Sequence, residues 1–461
     1  MKQAKLIGSR AFYKKLFRVM TPVLIQNIIT NFVSLLDNLM VGQIGTEPMS
    51  GVAIVNQLLF VFNLCIFGGL AGAGIFTAQF YGSGDQEGVR HTFRLKLWVG
   101  AASVGLFLVI FLGAGDRLIS LFLHDGEEGL SLEATLDYGR RYLAVMLFEM
   151  LPFALSQVYA STLRECGETV LPMKAGIAAV FINMVFNYIL IFGKLGLPAL
   201  GVSGAAAATV LARVVECAIV IFWAHRHSER CPYAVGLYRS LRVPWPLVKR
   251  IAVMGLPLLL NELLWSAGMA LLNQCFSLRG LEVVSAVNIS STVSNLFMCG
   301  VFAMGSTIAI IVGQLLGAGK LERAVAEDRQ LTAFAVAMCV VVGAVMALVA
   351  PLIPELYNTT PAVKALAADF LLIMSALLPF ISYTNACYFT LRSGGKTIIT
   401  FIFDSAFVWV INIPAAMFLS RATSMPIVPM YAIVQSLELV KCTIGFFMVR
   451  SRKWVNNLTV A

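Results

Sequence analysis

The chain has 461 residues, of which 59% are hydrophobic and only 13% charged, and its mean hydropathy is +0.84. A soluble protein of this length cannot bury so much apolar surface, so the composition indicates a protein with many membrane spans. The net charge of +10 does not indicate nucleic acid, because most of the 34 Lys and Arg residues fall in alternate loops and in both tails. This positive-inside pattern predicts a multi-pass protein of the cell (inner or plasma) membrane, in contact with the lipid bilayer, with both termini in the cytoplasm.

Apolar runs long enough to cross a bilayer recur about twelve times along the chain. The predicted spans, in chain order, are 19–43, 51–80, 97–114, 138–160, 170–192, 202–224, 250–276, 284–312, 330–350, 364–389, 398–419 and 427–449. The nine cysteines are scattered and form no CxxC pair, so we interpret them as apolar fillers and not as disulfides or zinc ligands. The amino-terminal segment has no A-x-A cleavage site and is expected to lead into the first helix from the cytoplasm.

The first span holds a carboxylate, Asp37, and no other ionisable residue lies between Thr21 and Val41. Asp37 stands about 24 Å along the helix from Thr21, which places it in the outer half of the membrane. A charge in a span costs about 2.5–3.5 kcal/mol on insertion scales. Unless it reaches water at the helix end, the acid must be protonated, bind a cation or pair with a base. We therefore predict a role for Asp37 in ion or proton movement.

The two halves of the sequence repeat each other at two related offsets, 235 and 228 residues. Each half holds six spans, an even number, so both halves enter the membrane in the same orientation, and such parallel repeats place a substrate path between two lobes. We predict an amino-terminal lobe at 1–224, a cytoplasmic linker at 225–248 and a carboxy-terminal lobe at 249–461. The matched pairs are Pro22 with Pro257, Gln79 with Gln314, Leu163 with Leu391 and Arg213 with Lys441.

Four motifs resemble those of a known family when they are taken together. They are Pro22 followed by Asp37-Asn-Leu-Met-Val-Gly-Gln-Ile-Gly45, then Gln79-Phe-Tyr-Gly82-Ser-Gly84-Asp85, Leu163-Arg164-Glu-Cys-Gly167 and Asn187-Tyr-Ile-Leu-Ile-Phe-Gly193. Over essentially its whole length the chain resembles the bacterial MATE (multidrug and toxic compound extrusion) transporters. The resemblance implies an all-α membrane fold of twelve helices in two six-helix repeats that form a V-shaped, two-lobed transporter. It also implies export of bulky, often cationic compounds, driven by sodium or proton movement into the cell.

The resemblance implies a cation-coupling site at Asp37, Asn183, Asn187 and Thr209. Some relatives have Asp where this chain has Asn187, so the site here has one carboxylate fewer. Asn183 and Asn187 share a helix face at i and i+4, and amides in that position also serve as links between membrane helices. Carboxylate, amide and hydroxyl oxygens suit a sodium ion, with Asp37, Asn183 and Asn187 as candidate ligands, and equally suit a proton carrier. Pro22 is the candidate hinge of the first helix.

A substrate site or second coupling site is expected in the carboxy-terminal half. The resemblance implies an acid at Glu262, and Trp265 one turn further supplies an aromatic face that suits an organic cation. The alternative for Glu262 is a buried, protonated acid bonded to a neighbouring helix. Asp404 is interpreted either as a first contact for a cation from the cytoplasm or as the partner of a base. The tenth-span acid of some relatives has no match, and Asn385 is the nearest polar residue.

Charged residues within other spans are interpreted as structural. Arg213 and Glu216 stand three residues apart in one span, as do Glu438 and Lys441 in another. Such spacing favours neutralising pairs within each helix. Glu149 in the fourth span has no evident partner in the sequence.

These observations predict a secondary-active antiporter for small-molecule organic cations, acting as a monomer, with sodium or a proton as coupling ion and no cofactor. The main alternative is a lipid-linked oligosaccharide flippase of the same superfamily, which would need a strongly cationic cavity, whereas away from their ends the spans hold only two bases, Arg213 and Lys441. An enzyme would need clustered His, Asp or Cys at one membrane face; the sequence shows no such cluster, so we do not expect an enzyme. A channel would dissipate gradients without uphill export.

Overall fold

The computed structural model describes residues 6–122, 131–357 and 359–460, without the side chains at 33–36, 38 and 39, and is helical nearly throughout. The helices of the first half are α1 Arg10–Gly42, α2 Thr46–Ser83, α3 Gln86–Ser120, α4 Leu132–Met146, α5 Met150–Glu165, α6 Val170–Phe192 and α7 Val202–Arg226. Those of the second half are α8 Trp245–Ser277, α9 Leu281–Gly317, α10 Leu321–Val349, α11 Pro361–Ser393, α12 Thr397–Phe401, α13 Ile413–Ala422, α14 Ile427–Ser436 and α15 Glu438–Arg450. Two π-helical stretches, Ile402–Ala406 and Val408–Asn412, connect α12 to α13.

Each predicted span corresponds to a helix, to a continuous helical stretch or, at 138–160, to the bent pair of α4 and α5. Ten stretches of the described chain are long and apolar enough to cross a membrane, and they include Thr397–Ala422 and Ile427–Arg450. The bent pair of α4 and α5, which meet at 50°, adds another, and the 33-residue α1 covers the first predicted span. The predicted all-α fold of a multi-pass membrane protein with twelve helical spans is therefore confirmed.

Many large apolar side chains point away from the protein. Leu112 and Leu348 are each 74% exposed and Phe222 is 68% exposed, all three within predicted spans. In a soluble protein such side chains would face water, whereas in a bilayer they contact lipid tails at no such cost. Helices satisfy their own backbone hydrogen bonds, which is why lipid can surround them.

Local sequence signals fix several helix ends. Ser131 precedes α4 and its hydroxyl accepts a hydrogen bond from the Ala134 amide at 3.2 Å. Thr360 caps α11 in the same way, with Pro361 at the first helical position, where its missing N–H is not needed. Gly193 ends α6 in the left-handed region at φ 65°, which a residue with a Cβ rarely adopts. The end of α6 coincides with the predicted limit at 192, whereas α4 and α11 begin before the predicted starts at 138 and 364.

The described chain divides into two compact units. Unit 1 comprises the described residues of Met1–Leu24, Ala78–Asp85 and Val253–Ala461, and unit 2 comprises Ile25–Thr77 and Gln86–Ala252. The helices α1 and α2 therefore each contribute to both units. α1 passes from unit 1 to unit 2 after Leu24, two residues beyond Pro22, the only proline inside that helix. The predicted lobe limits at 224 and 249 stay a prediction.

The predicted linker is an ordered part of unit 2. Its backbone carbonyls accept hydrogen bonds from arginines of α3: Arg90 Nε lies 3.2 Å from the Tyr233 oxygen, and Arg94 Nε lies 3.0 Å from the Leu237 oxygen. Tyr233 and Leu237 are themselves buried. The segment between α7 and α8 is thus fixed along α3.

Candidate cation site

Three helices of unit 2 bring together the residues predicted to couple a cation. Asp37 lies near the end of α1 and is half-buried, while Asn183 and Asn187 lie one turn apart on the buried face of α6. Thr209 is the contribution of α7. The Asn187 amide nitrogen donates a hydrogen bond to Asp37 Oδ1 at 2.6 Å. This bond joins α1 to α6 in the outer half of the predicted span.

Asn183 links the Asp37 carboxylate to the Thr209 hydroxyl. With its amide nitrogen turned toward α1, it donates to Asp37 Oδ1 at 2.8 Å, and its oxygen accepts from the Thr209 hydroxyl at 3.1 Å. In this orientation both ends of the amide face complementary groups, whereas the reverse orientation sets oxygen against oxygen. All four predicted residues therefore form one hydrogen-bonded cluster, which we call the Asp37 cluster.

The Asp37 cluster has acceptors to spare. The side-chain oxygen of Asn187, a residue only 1% exposed, has no hydrogen-bond partner, and within the described ranges Asp37 takes part in no ion pair. A buried acceptor without a partner is costly, so the arrangement favours an incoming positive group. Hard cations prefer oxygens of this mixed type. The residues therefore fit either a sodium ion or a proton held by Asp37.

The nearest base is occupied by other acids. Arg213 lies one turn along α7 from Thr209, and its Nε is 3.2 Å from Glu149 Oε1 while its Nη1 is 2.9 Å from Glu216 Oε2. The predicted pair of Arg213 with Glu216 is confirmed, and Glu149 has a partner that the sequence did not reveal. Arg213 acts on Asp37 only through space. Arg213 is therefore paired with Glu149 and Glu216, and among the described residues it forms no ion pair with Asp37.

A second acid of the membrane region, Asp404, pairs with a base in unit 1. It lies in the first π-helical stretch, with Oδ1 2.7 Å from Lys441 Nζ, and its Oδ2 accepts from the Asn261 amide at 3.0 Å. Of the two interpretations of Asp404, the structure supports the second, in which Asp404 is the partner of a base, Lys441. The predicted pair of Glu438 with Lys441 is wrong, because Lys441 reaches across to Asp404 and Glu438 accepts a hydrogen bond from Thr384.

Asn261 is a residue that the sequence analysis did not select. Its side-chain oxygen accepts from the Ser405 backbone amide at 3.2 Å, and the Ser405 hydroxyl lies 2.8 Å from its main-chain oxygen. Asn261 also stands one turn after Pro257, inside α8. It therefore ties the proline-containing part of α8 to the π-helical stretch that carries Asp404. Its position next to Glu262 was the only sequence signal.

The remaining predicted residues of this half do not form one cluster. Glu262 is half-buried, and Arg392 acts on it through space. Trp265 is 38% exposed, and among the described residues no hydrogen bond or ring contact joins it to Glu262. Asn385 lies against Gly305 of α9, with its side-chain oxygen buried and without a partner. Whether these side chains meet a substrate stays a prediction.

One further buried acid lay outside the predicted spans. Asp328 is 1% exposed, accepts from the Thr390 hydroxyl at 2.5 Å and forms no ion pair with any residue that the structure describes. The tenth helix begins at Leu321, whereas the hydropathy of the sequence places the start of the span at 330. Asp328 was therefore assigned to a cytoplasmic loop. The charged residues in the first turns of α10 lower the local hydropathy, so the sequence places the start of this helix too late.

Comparison with known families gives a match in both halves of the chain. The MatE family model matches residues 22–189 and again residues 257–418. The chain belongs to the MatE family. The two matched segments begin at Pro22 and Pro257, 235 residues apart, which is the offset found in the sequence itself. The MatE unit is thus present twice in one chain.

MatE relatives and solved structures cover nearly the whole chain. It is 24% identical over 443 residues to a probable multidrug resistance protein NorM of Thermotoga maritima, covering 96% of this chain and 93% of the relative. It is 25% identical over 417 residues to the multidrug resistance protein PmpM of Pseudomonas aeruginosa, covering 88% and 83%. A structure of a multidrug resistance MATE family transporter in an outward-facing conformation matches with a TM-score of 0.85 at 20% identity, covering 98% of each chain. A mutant of the Vibrio cholerae MATE transporter VcmN matches with a TM-score of 0.82 at 18% identity, covering 96% and 98%.

Proposed function

We propose that this MatE protein is a secondary-active antiporter that exports hydrophobic, often cationic compounds in exchange for sodium ions or protons. Relatives over most of the chain are named multidrug resistance proteins, which supports export of small molecules. The observation that carries the proposal is the Asp37 cluster, an acid inside a membrane helix held by two amides and, among the described residues, by no base. We further propose that the protein acts as a monomer in the cell membrane with both termini cytoplasmic.

The charge of Asp37 provides the driving step. Without a cation the cluster holds an uncompensated negative charge in the membrane region, which is unfavourable. A sodium ion or proton that enters from outside neutralises it, and the spare oxygen of Asn187 offers one more acceptor. Each unit charge moved across 100 mV supplies about 2.3 kcal/mol, in addition to its concentration gradient.

The shape of α1 provides the coupling step. The bonds from Asn183 and Asn187 to Asp37 hold the outer part of α1 to α6 within unit 2. Pro22 interrupts the helix just before α1 enters that unit, so it is a natural bending point. Occupation of the cluster by a cation changes the preferred position of α1, and the populations of the two transport states shift accordingly. Glu262 is the proposed contact for the exported cation.

The test is efflux of a fluorescent organic cation from proteoliposomes, driven by a sodium gradient alone and then by a proton gradient alone. We expect one gradient to drive export by the wild type. Asp37→Asn keeps the size of the side chain and one acceptor oxygen but removes its charge, so ion-driven export should fall to background. The matched control is Asp369→Asn, which removes an exposed acid of α11 and should leave export intact.

Export by Asp37→Asn at the wild-type rate, with the same ion dependence, would refute the proposal. Dissipation of the gradient without uphill accumulation of the dye would indicate a channel. Movement of a lipid-linked oligosaccharide without any ion gradient would instead support the flippase.

A further inference from the structure

The ends of α2 and α9 cross in direct contact on the side predicted to face the cytoplasm. A Cβ added to Gly82 would collide with the main chain of Gln314, and a Cβ added to Gly317 would collide with the main chain of Gln79. The two contacts are reciprocal, because Gln314 and Gly317 stand 235 residues after Gln79 and Gly82. The repeated glycines therefore permit a two-fold closure between matching helix ends, which we call the α2–α9 closure.

The segment after α15, residues 451–460, lies over this closure and binds Gln79. The side-chain oxygen of Gln79 accepts from the Leu458 backbone amide at 2.7 Å. Its amide nitrogen donates to the backbone oxygens of Asn456, at 3.3 Å, and of Ser393, at 2.9 Å. Gln79 is completely buried, so its side chain holds residues 451–460 and the end of α11 together.

Further contacts hold the segment in place. The Asn457 amide donates to the backbone oxygen of Gly317, the second glycine of the closure, at 3.3 Å. Trp454 is 1% exposed and packs against Gly394 so closely that a Cβ there would collide with the Trp454 main chain. Leu458 is also buried and lies against Gly395. Trp454 and Leu458 thus anchor the segment in the protein, while residues 451–453, 456 and 460 are exposed.

These bonds break the symmetry of the repeat. The closure itself uses matched residues of both halves, whereas residues 451–460 bind the side chain of Gln79 and only the backbone of Gly317. A buried amide whose oxygen and nitrogen are both satisfied by the segment is costly to expose, because each lost partner leaves a buried polar group unpaired. The segment therefore adds to the stability of the closed arrangement beyond the helix contact.

We propose that residues 451–460 are a lock on the α2–α9 closure, and that each transport cycle requires their release from Gln79. The inference rests on the proposed antiporter function, because a transporter must at some stage open the side on which these helix ends lie. The position of Gln79 suits a lock: α2 changes from unit 2 to unit 1 between Thr77 and Ala78, directly before it. The lock holds α2 at that point.

Hydrogen exchange of the full chain in lipid nanodiscs tests this. Gln79→Ala removes the three side-chain bonds, so we expect the Leu458 amide to exchange at least about tenfold faster. The amides at 80–83 and 315–317 should exchange faster as well, because the closure opens more often. Asn457→Ala removes the bond to Gly317 and the two bonds that the Asn457 side-chain oxygen accepts from Thr459, but no bond to Gln79. It should give a smaller change of the same sign, which keeps the test valid if Gln79→Ala folds poorly. The matched control is Asn456→Ala, which should leave exchange unchanged because Asn456 contributes only its backbone oxygen.

Three results would overturn the lock. One is that, in the wild type, the backbone amides of residues 451–460 exchange hydrogen as fast as those of a free peptide. Another is release of the segment by Gln79→Ala with unchanged exchange at 80–83 and 315–317. A third is an equal response to Asn456→Ala and Gln79→Ala. The readout does not depend on transport, so if neither ion gradient drives export while the exchange results hold, the antiporter proposal fails and the structural lock stands.

Discussion

Asp37 and Asp404 are acids of the membrane region, one in each half of the chain, and they are neutralised in different ways. Asp404 carries its own base, since Lys441 lies 2.7 Å from it. Asp37 is held by the amides of Asn183 and Asn187, and its charge is not compensated by any ion pair among the described residues. The comparison teaches that one duplicated fold can pair one half-buried acid with a permanent base and leave the other without an ion pair among the described residues.

The repeat shows how this difference arose in the sequence. At matching positions the Asp37 cluster has only apolar residues in the second half. Those counterparts are Leu272 for Asp37, Ile411 for Asn183, Ala415 for Asn187 and Leu437 for Thr209. Conversely, Asp404 matches Gly176, so Arg213, the counterpart of Lys441, finds no acid there and pairs with Glu149 and Glu216 instead. The duplicated framework thus holds the Asp37 cluster in one half and an acid–base pair in the other.

The two proline-containing helices differ in the same sense. In α8, Asn261 follows Pro257 by one turn and bonds to both Asp404 and Ser405. Its counterpart in α1 is Gln26, which lies beside Gly176. Among the described residues the Gln26 side chain forms no hydrogen bond. We infer that α8 is held at its proline while α1 is free to bend.

The largest expected effect is on the stability of the carboxy-terminal half. Lys441→Met removes the base and leaves the half-buried Asp404 without its ion pair, so we expect a loss of about 3 kcal/mol in the free energy of unfolding. Thermal unfolding in detergent micelles measures this. Asp37→Asn should cost little stability, because no ion pair is broken. The same stability loss in both variants would mean that the two acids are not neutralised differently.

The double variant Lys441→Met with Asp404→Asn separates charge from packing. It removes both members of the pair, so most of the lost stability should return. A double variant as unstable as Lys441→Met would show that the lysine stem, and not the ion pair, stabilises this region.

A smaller effect distinguishes the two prolines. Asn261→Ala leaves the Ser405 amide and one oxygen of Asp404 without partners, so we expect a loss of about 2 kcal/mol in the free energy of unfolding. Gln26→Ala removes no described hydrogen bond and should change it by less than about 0.5 kcal/mol. Chemical or thermal unfolding of both variants side by side checks the difference. Equal losses would contradict a clamp that is specific to α8.

The sequence predicted the helices well because each span is a long apolar run between polar loops. The members of the Asp37 cluster came from the resemblance to the MATE transporters, and the shared helix face of Asn183 and Asn187 is consistent with their meeting. The sequence failed where a partner comes from a distant helix: Lys441 is 37 residues from Asp404, and the local spacing pointed to Glu438 instead. Spacing within one helix cannot decide between a neighbour on the same face and an acid on a packed helix.

The limits of hydropathy explain the other misses. Asp328 sits in the polar first turns of α10, which a hydropathy window assigns to the loop. Asn261 was overlooked because its neighbour Glu262 carries the charge, although Asn261 makes the bonds. The contacts of residues 451–460 with Gln79 join positions more than 370 residues apart, and no periodicity in the sequence reports them.

The smallest expected effect concerns the space beside Gln26. Gly176 lies inside α6, where glycine costs about 0.5–1 kcal/mol relative to alanine because it loses more backbone freedom on folding. A Cβ at this position would lie 3.3 Å from Gln26 Nε2, the far end of a flexible side chain that can move aside. Gly176→Ala should therefore raise the free energy of unfolding by up to about 1 kcal/mol and leave ion-driven export intact, as thermal unfolding and the efflux assay would show. If the variant is instead destabilised, Gln26 is held in place and α1 is clamped after its proline as α8 is, which would remove the contrast between the two halves.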